Sequence, residues 1–205
     1  MVLEFKMLKH YSYPSIAQFR NLVGDIRAKA QYVGKDEEGK PVFDKNKSLP
    51  TIKLEGTVKL HGANCSVVLD KEGNLYSQSR NNVLSLESDF MGFNIFVMQN
   101  KDYFTSMLKT YFTPLTEAVI VYGEWCGVNV QRGVALCELP KMFIAFDVRV
   151  VDEELIENKG WVESAEIAKW NNPDIRVFNT QMFERWSIEI DIADPMKIYN
   201  HNKTN

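Results

Sequence analysis

The chain has 205 residues, 45% of them apolar and 25% charged, with a net charge of −3. That length buries one sizeable core, and the composition excludes disordered, collagen-like and disulfide-stapled classes. No apolar run approaches the ~20 residues of a membrane span and "MVLEFKMLKHYSY" lacks a signal-peptide block, so a cytoplasmic, intracellular protein with no membrane partner is expected.

Ile16, Phe19, Val23, Ile26 and Ala30 recur at helical spacing, predicting an amphipathic helix over 14–30, capped by Ser12 or Ser15 and ended by Gly34. "GKDEEGKPVFDKNKSLP" reads as a loop or a small exposed hairpin. From Thr51 the period changes to two. "TIKLEGTVKL" and "CSVVLD" read as strands, "KEGN" as a turn and "LYSQSR" as the returning strand. Phe90, Phe93 and Val97, then Phe104, Leu108 and Tyr111, predict two helices broken near Asn100, with Pro114 stopping the second. "AVIVYGEW" and "KMFIAFDVRVV" are apolar runs of strand length, as expected of central strands buried on both faces. "GWVESAEIAKWNN" predicts a short helix before Pro173, and no apolar closing strand is read before "YNHNKTN". The fold class is therefore α+β, with largely antiparallel strands and helices packed outside, as one monomeric domain over 1–205 with no clear linker.

Cys65, Cys126 and Cys137 are odd in number and lack metal-ligand spacing, so reduced thiols are expected. With only His10, His61 and His201 as histidines, structural zinc is not expected. Residues 1–60 hold 11 basic and 7 acidic side chains, against 13 and 20 in the remainder. Attraction to phosphates depends on a local patch, so net charge neither assigns nor excludes nucleic acid.

Four strand-associated stretches carry polar residues that a core would not choose: "KLHGAN" from Lys59, "SQSRNN" with Arg80, "VYGEWCG" with Glu124, and "FIAFDV" with Phe146 and Asp147. Alone, each has an ordinary reading. Lys59 snorkels to solvent, Arg80 is a surface cation, Glu124 an edge charge, His61 a turn histidine, and Phe146, Trp125 and Trp170 are core. In this order and spacing over roughly Ile52 to Val150, they resemble the ATP-dependent RNA ligases of the covalent lysyl-nucleotidyltransferase superfamily. The likeness is greatest to the dsRNA nick-sealing type, the second RNA ligase of T-even phages and the trypanosome RNA-editing ligases. Lys-x-His-Gly-x-Asn is met by Lys59, His61, Gly62 and Asn64. "SRNNVLSLESDFMGF", "GEWCG" followed by "VNVQRGV", and "FIAFDV" meet the later motifs.

The resemblance implies an ATP-grasp-like adenylyltransferase domain with ATP as AMP donor, Mg2+ or Mn2+, and RNA ends in a nicked duplex or a cleaved RNA as substrate. It implies Lys59 as the nucleophile that becomes lysyl-AMP, Glu124 on the ribose hydroxyls and, through waters, on the metal, and Phe146 on adenine. It further implies Arg80 on the nucleotide ribose and, with Asn64, at the RNA 5′-phosphate, with His61 and Asn64 serving the later steps. An amine attacks only when neutral, a form favoured by burial or neighbouring positive charge, and an apolar strand end suits that demand. The Glu-Gly-x-Val and Lys-x-Lys motifs that complete the family pattern are not found after Val150; the only Lys-x-Lys is Lys45-Asn46-Lys47. The expectation is a C-terminally incomplete domain, the N-terminal part of a longer ligase, that does not seal RNA efficiently alone. The alternative is a degenerate relative that binds nucleotide or RNA.

Overall fold

The computed structural model describes residues 8–15, 18–152 and 160–197. In chain order these form helix α1 (Phe19–Gln31), strands β1 (Tyr32–Lys35), β2 (Pro41–Phe43), β3 (Thr51–Thr57), β4 (Ala63–Asp70) and β5 (Leu75–Ser79). Helices α2 (Phe93–Gln99) and α3 (Lys101–Lys109) follow, then strands β6 (Thr116–Cys126), β7 (Met142–Asp152), β8 (Val177–Asn179) and β9 (Arg185–Asp191). They divide into two compact units, one of Met1–Tyr13 with Lys59–Phe183, the other of Pro14–Val58 with Glu184–Asn205. No helix among the described residues is long and apolar enough to cross a membrane.

The larger unit is built on a five-stranded sheet in the order β5-β4-β6-β7-β8, antiparallel throughout except for the parallel β7–β8 edge. Both long apolar runs are central strands, as their composition requires. Alternation sorts their side chains onto two faces. Cys65, Val67, Leu69, Val119, Val121, Trp125, Phe143 and Ala145 meet Phe93, Val97, Phe104 and Leu108 of α2 and α3. On the other face Val68, Tyr76, Ala118, Ile120 and Tyr122 are covered by Tyr11, Tyr13, Phe146 and Trp161. Trp125 and Trp170 are core, as read from the sequence. The three cysteines are free, and burial pushes the Cys126 thiol up to about 12, which keeps it from acting as a thiolate.

The break between α2 and α3 falls at Asn100, whose side-chain amide donates to the Phe96 carbonyl at 2.8 Å. Before α2, the Asp89 carboxylate accepts from the N–H groups of Gly92, Asn94 and Ile95, at 2.5, 2.7 and 3.3 Å. Those donors have no partner within the helix, and the acidic group also opposes the positive end of its dipole. The Asp-Phe of "ESDFMGF" therefore starts a helix.

In the smaller unit α1 begins at Phe19, with Gln18 as its N-cap and no side-chain cap bond; Ile16 lies outside the described residues, and neither Ser12 nor Ser15 caps the helix. Gly34 sits inside β1 instead of terminating the helix. β1 and β2 make the exposed hairpin. β3 pairs antiparallel with β9, setting Ile52 opposite Ile190 and Leu54 opposite Ile188. β9 is a correction, because the alternation Trp186, Ile188, Ile190 is a strand signal that the sequence reading passed over. The helix expected in "GWVESAEIAKWNN" is a tighter 3-10 segment over Ser164–Lys169.

Candidate active site

Lys59 does not end a strand. β3 stops at Thr57, and Lys59 is exposed in the short link leading to β4, not buried at an apolar strand end. His61 is exposed beside it, and Asn64 is half-buried on β4. The register sets Asn64 opposite Glu124 and Ala63 opposite Trp125. Because Trp125 faces α2, Glu124 turns to the opposite face of the sheet.

Gly62 joins the lysine segment to the acid. Its N–H donates to Glu124 Oε1 at 2.8 Å, and its carbonyl accepts from Gln131 Nε2 at 3.0 Å. A Cβ at Gly62 would lie 2.3 Å from the Trp125 carbonyl oxygen and 2.9 Å from Glu124 Cγ, so only glycine permits this approach. At Gly123 a Cβ would meet the Phe143 ring at 2.4 Å. The Gly preceding Glu124 therefore lets the Phe143 ring pack closely over the β6 backbone on the helix-covered face.

Glu124 accepts no other protein hydrogen bond among the described residues, leaving Oε2 available to a hydroxyl or a hydrated cation. Burial holds its carboxyl above the ordinary value, against the opposing pull of the Gly62 N–H and of the charges on Lys59 and His61. A single carboxylate oxygen of this kind suits a magnesium ion that keeps its waters.

Arg80 follows Ser79, the partner of Cys65, so it emerges exposed at the same end of the sheet as Asn64 and Glu124. Phe146 sits in a β-bulge. Tyr122 pairs with Asp147 and Gly123 with Ala145, leaving Phe146 as the extra residue within two positions of Glu124. Lys59, His61, Asn64, Arg80, Glu124 and Phe146 thus gather at one end of the sheet from four separate stretches. A model of the RNA ligase family matches residues 52–194. The chain belongs to the RNA ligase family.

The match runs beyond Val150 and takes in β8 and β9, and membership in the family implies RNA substrates. Gln131 was not singled out in the sequence, although it lies in "VNVQRGV", where the family resemblance continues past "GEWCG". Beside it a cavity of about 760 Å³ opens, lined by Met91, Asn129, Arg132 and Cys137 among others. None of Lys59, Glu124 and Phe146 is among its lining residues; Gln131 is, and it also donates to the Gly62 carbonyl.

Proposed function

We propose that this protein is an ATP-dependent RNA ligase of the dsRNA nick-sealing type, with an ATP-grasp-like nucleotidyltransferase core, joining RNA 5′-phosphate and 3′-OH ends. The observation that carries this reading is the Gly62–Glu124 hydrogen bond, which ties the lysine-bearing segment to the acid that would hold the ribose. The Lys59 amine attacks the α-phosphorus of ATP. A P–N bond forms, the bridging P–O bond breaks, and pyrophosphate leaves with that electron pair while the amine releases its proton to solvent. The RNA 5′-phosphate, held by Arg80 and Asn64, then displaces the lysine to give an adenylylated end. The 3′-OH displaces AMP from that end, with His61 and Asn64 positioned at these later steps. Glu124 Oε2 would accept from the ribose hydroxyls and from the waters of a magnesium ion, which when bound neutralises charge on the phosphates. Phe146 would stack on adenine.

The alternative is a relative that binds nucleotide or RNA without efficient sealing. Exposure of Lys59 favours it. Incubation with α-labelled ATP and magnesium separates the two. Label on the protein, stable to alkali and released by hydroxylamine, is expected in the wild type and absent in Lys59→Ala. Label that persists in Lys59→Ala would sink Lys59 as nucleophile. RNA binding with no label at all would favour the alternative, and competition by GTP would point to a capping-type enzyme.

A further inference from the structure

The chain segment ahead of α1 is built into the sheet face that carries Glu124 and Phe146. Gln78, 1% exposed on β5, accepts from the Tyr11 N–H at 3.0 Å and donates back to the Tyr11 carbonyl. Tyr76 donates to the Lys9 carbonyl at 2.8 Å, and Tyr122 donates to the Tyr11 carbonyl at 3.2 Å. These bonds fix the backbone that delivers Tyr13. Its ring sits edge-on to Tyr122 and Phe146, each at 5.1 Å, and to Trp161 at 5.6 Å. Its hydroxyl donates to Asp147 Oδ2 at 2.6 Å.

The bulge in β7 gives that contact its meaning. In a regular strand Phe146 and Asp147 would point to opposite faces. Here both consecutive side chains meet one tyrosine, the first through its ring and the second through its hydroxyl. We propose that Tyr13 is a positioning residue of the nucleotide site, holding the Phe146 ring and the Asp147 carboxylate together so that the bulge presents one fixed surface to a purine base. Nothing in the motif stretches marks Tyr13; only the tertiary structure brings it there. Burial keeps the Tyr13 hydroxyl well above its ordinary value, so it remains a donor across the working pH range.

The inference rests on the nucleotidyltransferase reading, and the test separates the two. Initial rates of protein labelling are measured against ATP and GTP concentration for wild type, Tyr13→Phe, Tyr13→Ala and Gln78→Leu. Tyr13→Ala should raise the KM for ATP about tenfold and cut the ATP-over-GTP preference, with kcat changed less than about threefold, as expected for one lost aromatic contact and one hydrogen bond. Tyr13→Phe keeps the ring and should restore most of the affinity. Gln78→Leu frees the strap without touching the ring, and should shift KM in the same direction; it keeps the proposal testable if Tyr13→Ala does not fold. Wild-type KM and base preference in all three variants overturn the role of Tyr13. A fall in kcat with unchanged KM also overturns it, because it shows a merely structural residue. Absence of Lys59-dependent label in the wild type overturns the ligase reading. In that case equilibrium dialysis with ATP still decides the role of Tyr13, which is lost if Tyr13→Ala binds ATP as the wild type does.

Discussion

Replacing Gly62 by alanine tests how the lysine segment is held. The added methyl would fall 2.3 Å from the Trp125 carbonyl oxygen, 2.8 Å from Cys126 Cβ and 2.9 Å from Glu124 Cγ. All three atoms belong to β6, which is locked between β4 and β7 and cannot retreat. If the segment stays in place, the overpacking costs about 1–3 kcal/mol. If it swings away, the hydrogen bond from Gly62 to the Glu124 carboxylate is lost, at about 1.5–3 kcal/mol for a charged acceptor. The chain takes whichever is cheaper, so Tm should fall by roughly 2–4 °C per kcal/mol of that loss. The functional effect is larger, because Lys59 lies three residues away and a displacement near 1 Å costs about a hundredfold in rate. Circular dichroism melting and the initial rate of labelling from ATP measure the two separately. Gly56→Ala is the control, since a Cβ there meets nothing within 4 Å. An unchanged Tm with labelling within about threefold of wild type in Gly62→Ala would refute the argument, because a lost near-attack geometry cannot be that mild.

Three further outcomes follow from named contacts. Glu124→Gln keeps an oxygen for the Gly62 N–H but removes a charge that burial disfavours. A carboxyl with a raised value contributes stability at acidic pH and loses it as pH rises through that value. The Tm of the variant relative to wild type should therefore climb as pH rises from below the ordinary carboxyl value of 4.5 toward neutrality, while labelling collapses, and a flat difference over that whole range would contradict the burial argument. Phe93→Ala empties a fully buried position beside Trp125 at 5.3 Å and Phe143 at 5.4 Å, and should cost about 3–5 kcal/mol in urea unfolding. Asp89→Ala frees the N–H groups that start α2 and should cost about 1–2 kcal/mol by the same measurement, with the KM for ATP unaltered.

Elements whose partners lie nearby, or whose composition alone decides burial, were legible in the sequence. The β4–β5 hairpin, the two apolar central strands and the Asn100 break are of this kind. Of the candidate site, the stretches that meet at one end of the sheet were legible, since each carries polar residues that a core would not choose. The bulge at Phe146 was not, since it exists only in the register against Tyr122 and Gly123. Tyr13 was not either, since its partner Asp147 lies 134 positions along the chain. β8 is three residues long, below any periodic signal. The strand end proposed for Lys59 failed because "TIKLEGTVKL" alternates to its last residue, whereas pairing with β9 stops at Thr57.

The β3–β9 pairing also orders events in time. Thr57 pairs with Arg185, so the ribosome must add about 130 residues before β3 can find its partner, a delay of roughly 6–25 s at typical synthesis rates. Lys59–Phe183, by contrast, is complete before β9 emerges. Through that interval Ile52 and Leu54 sit on a strand with neither edge satisfied by β9, the kind of segment that chaperones shield and that pairs with wrong neighbours when they do not. The middle of the chain is therefore synthesised whole before the β3–β9 pair can close. Substitutions that slow the middle will surface first as lost yield during synthesis, even where the finished molecule is scarcely less stable.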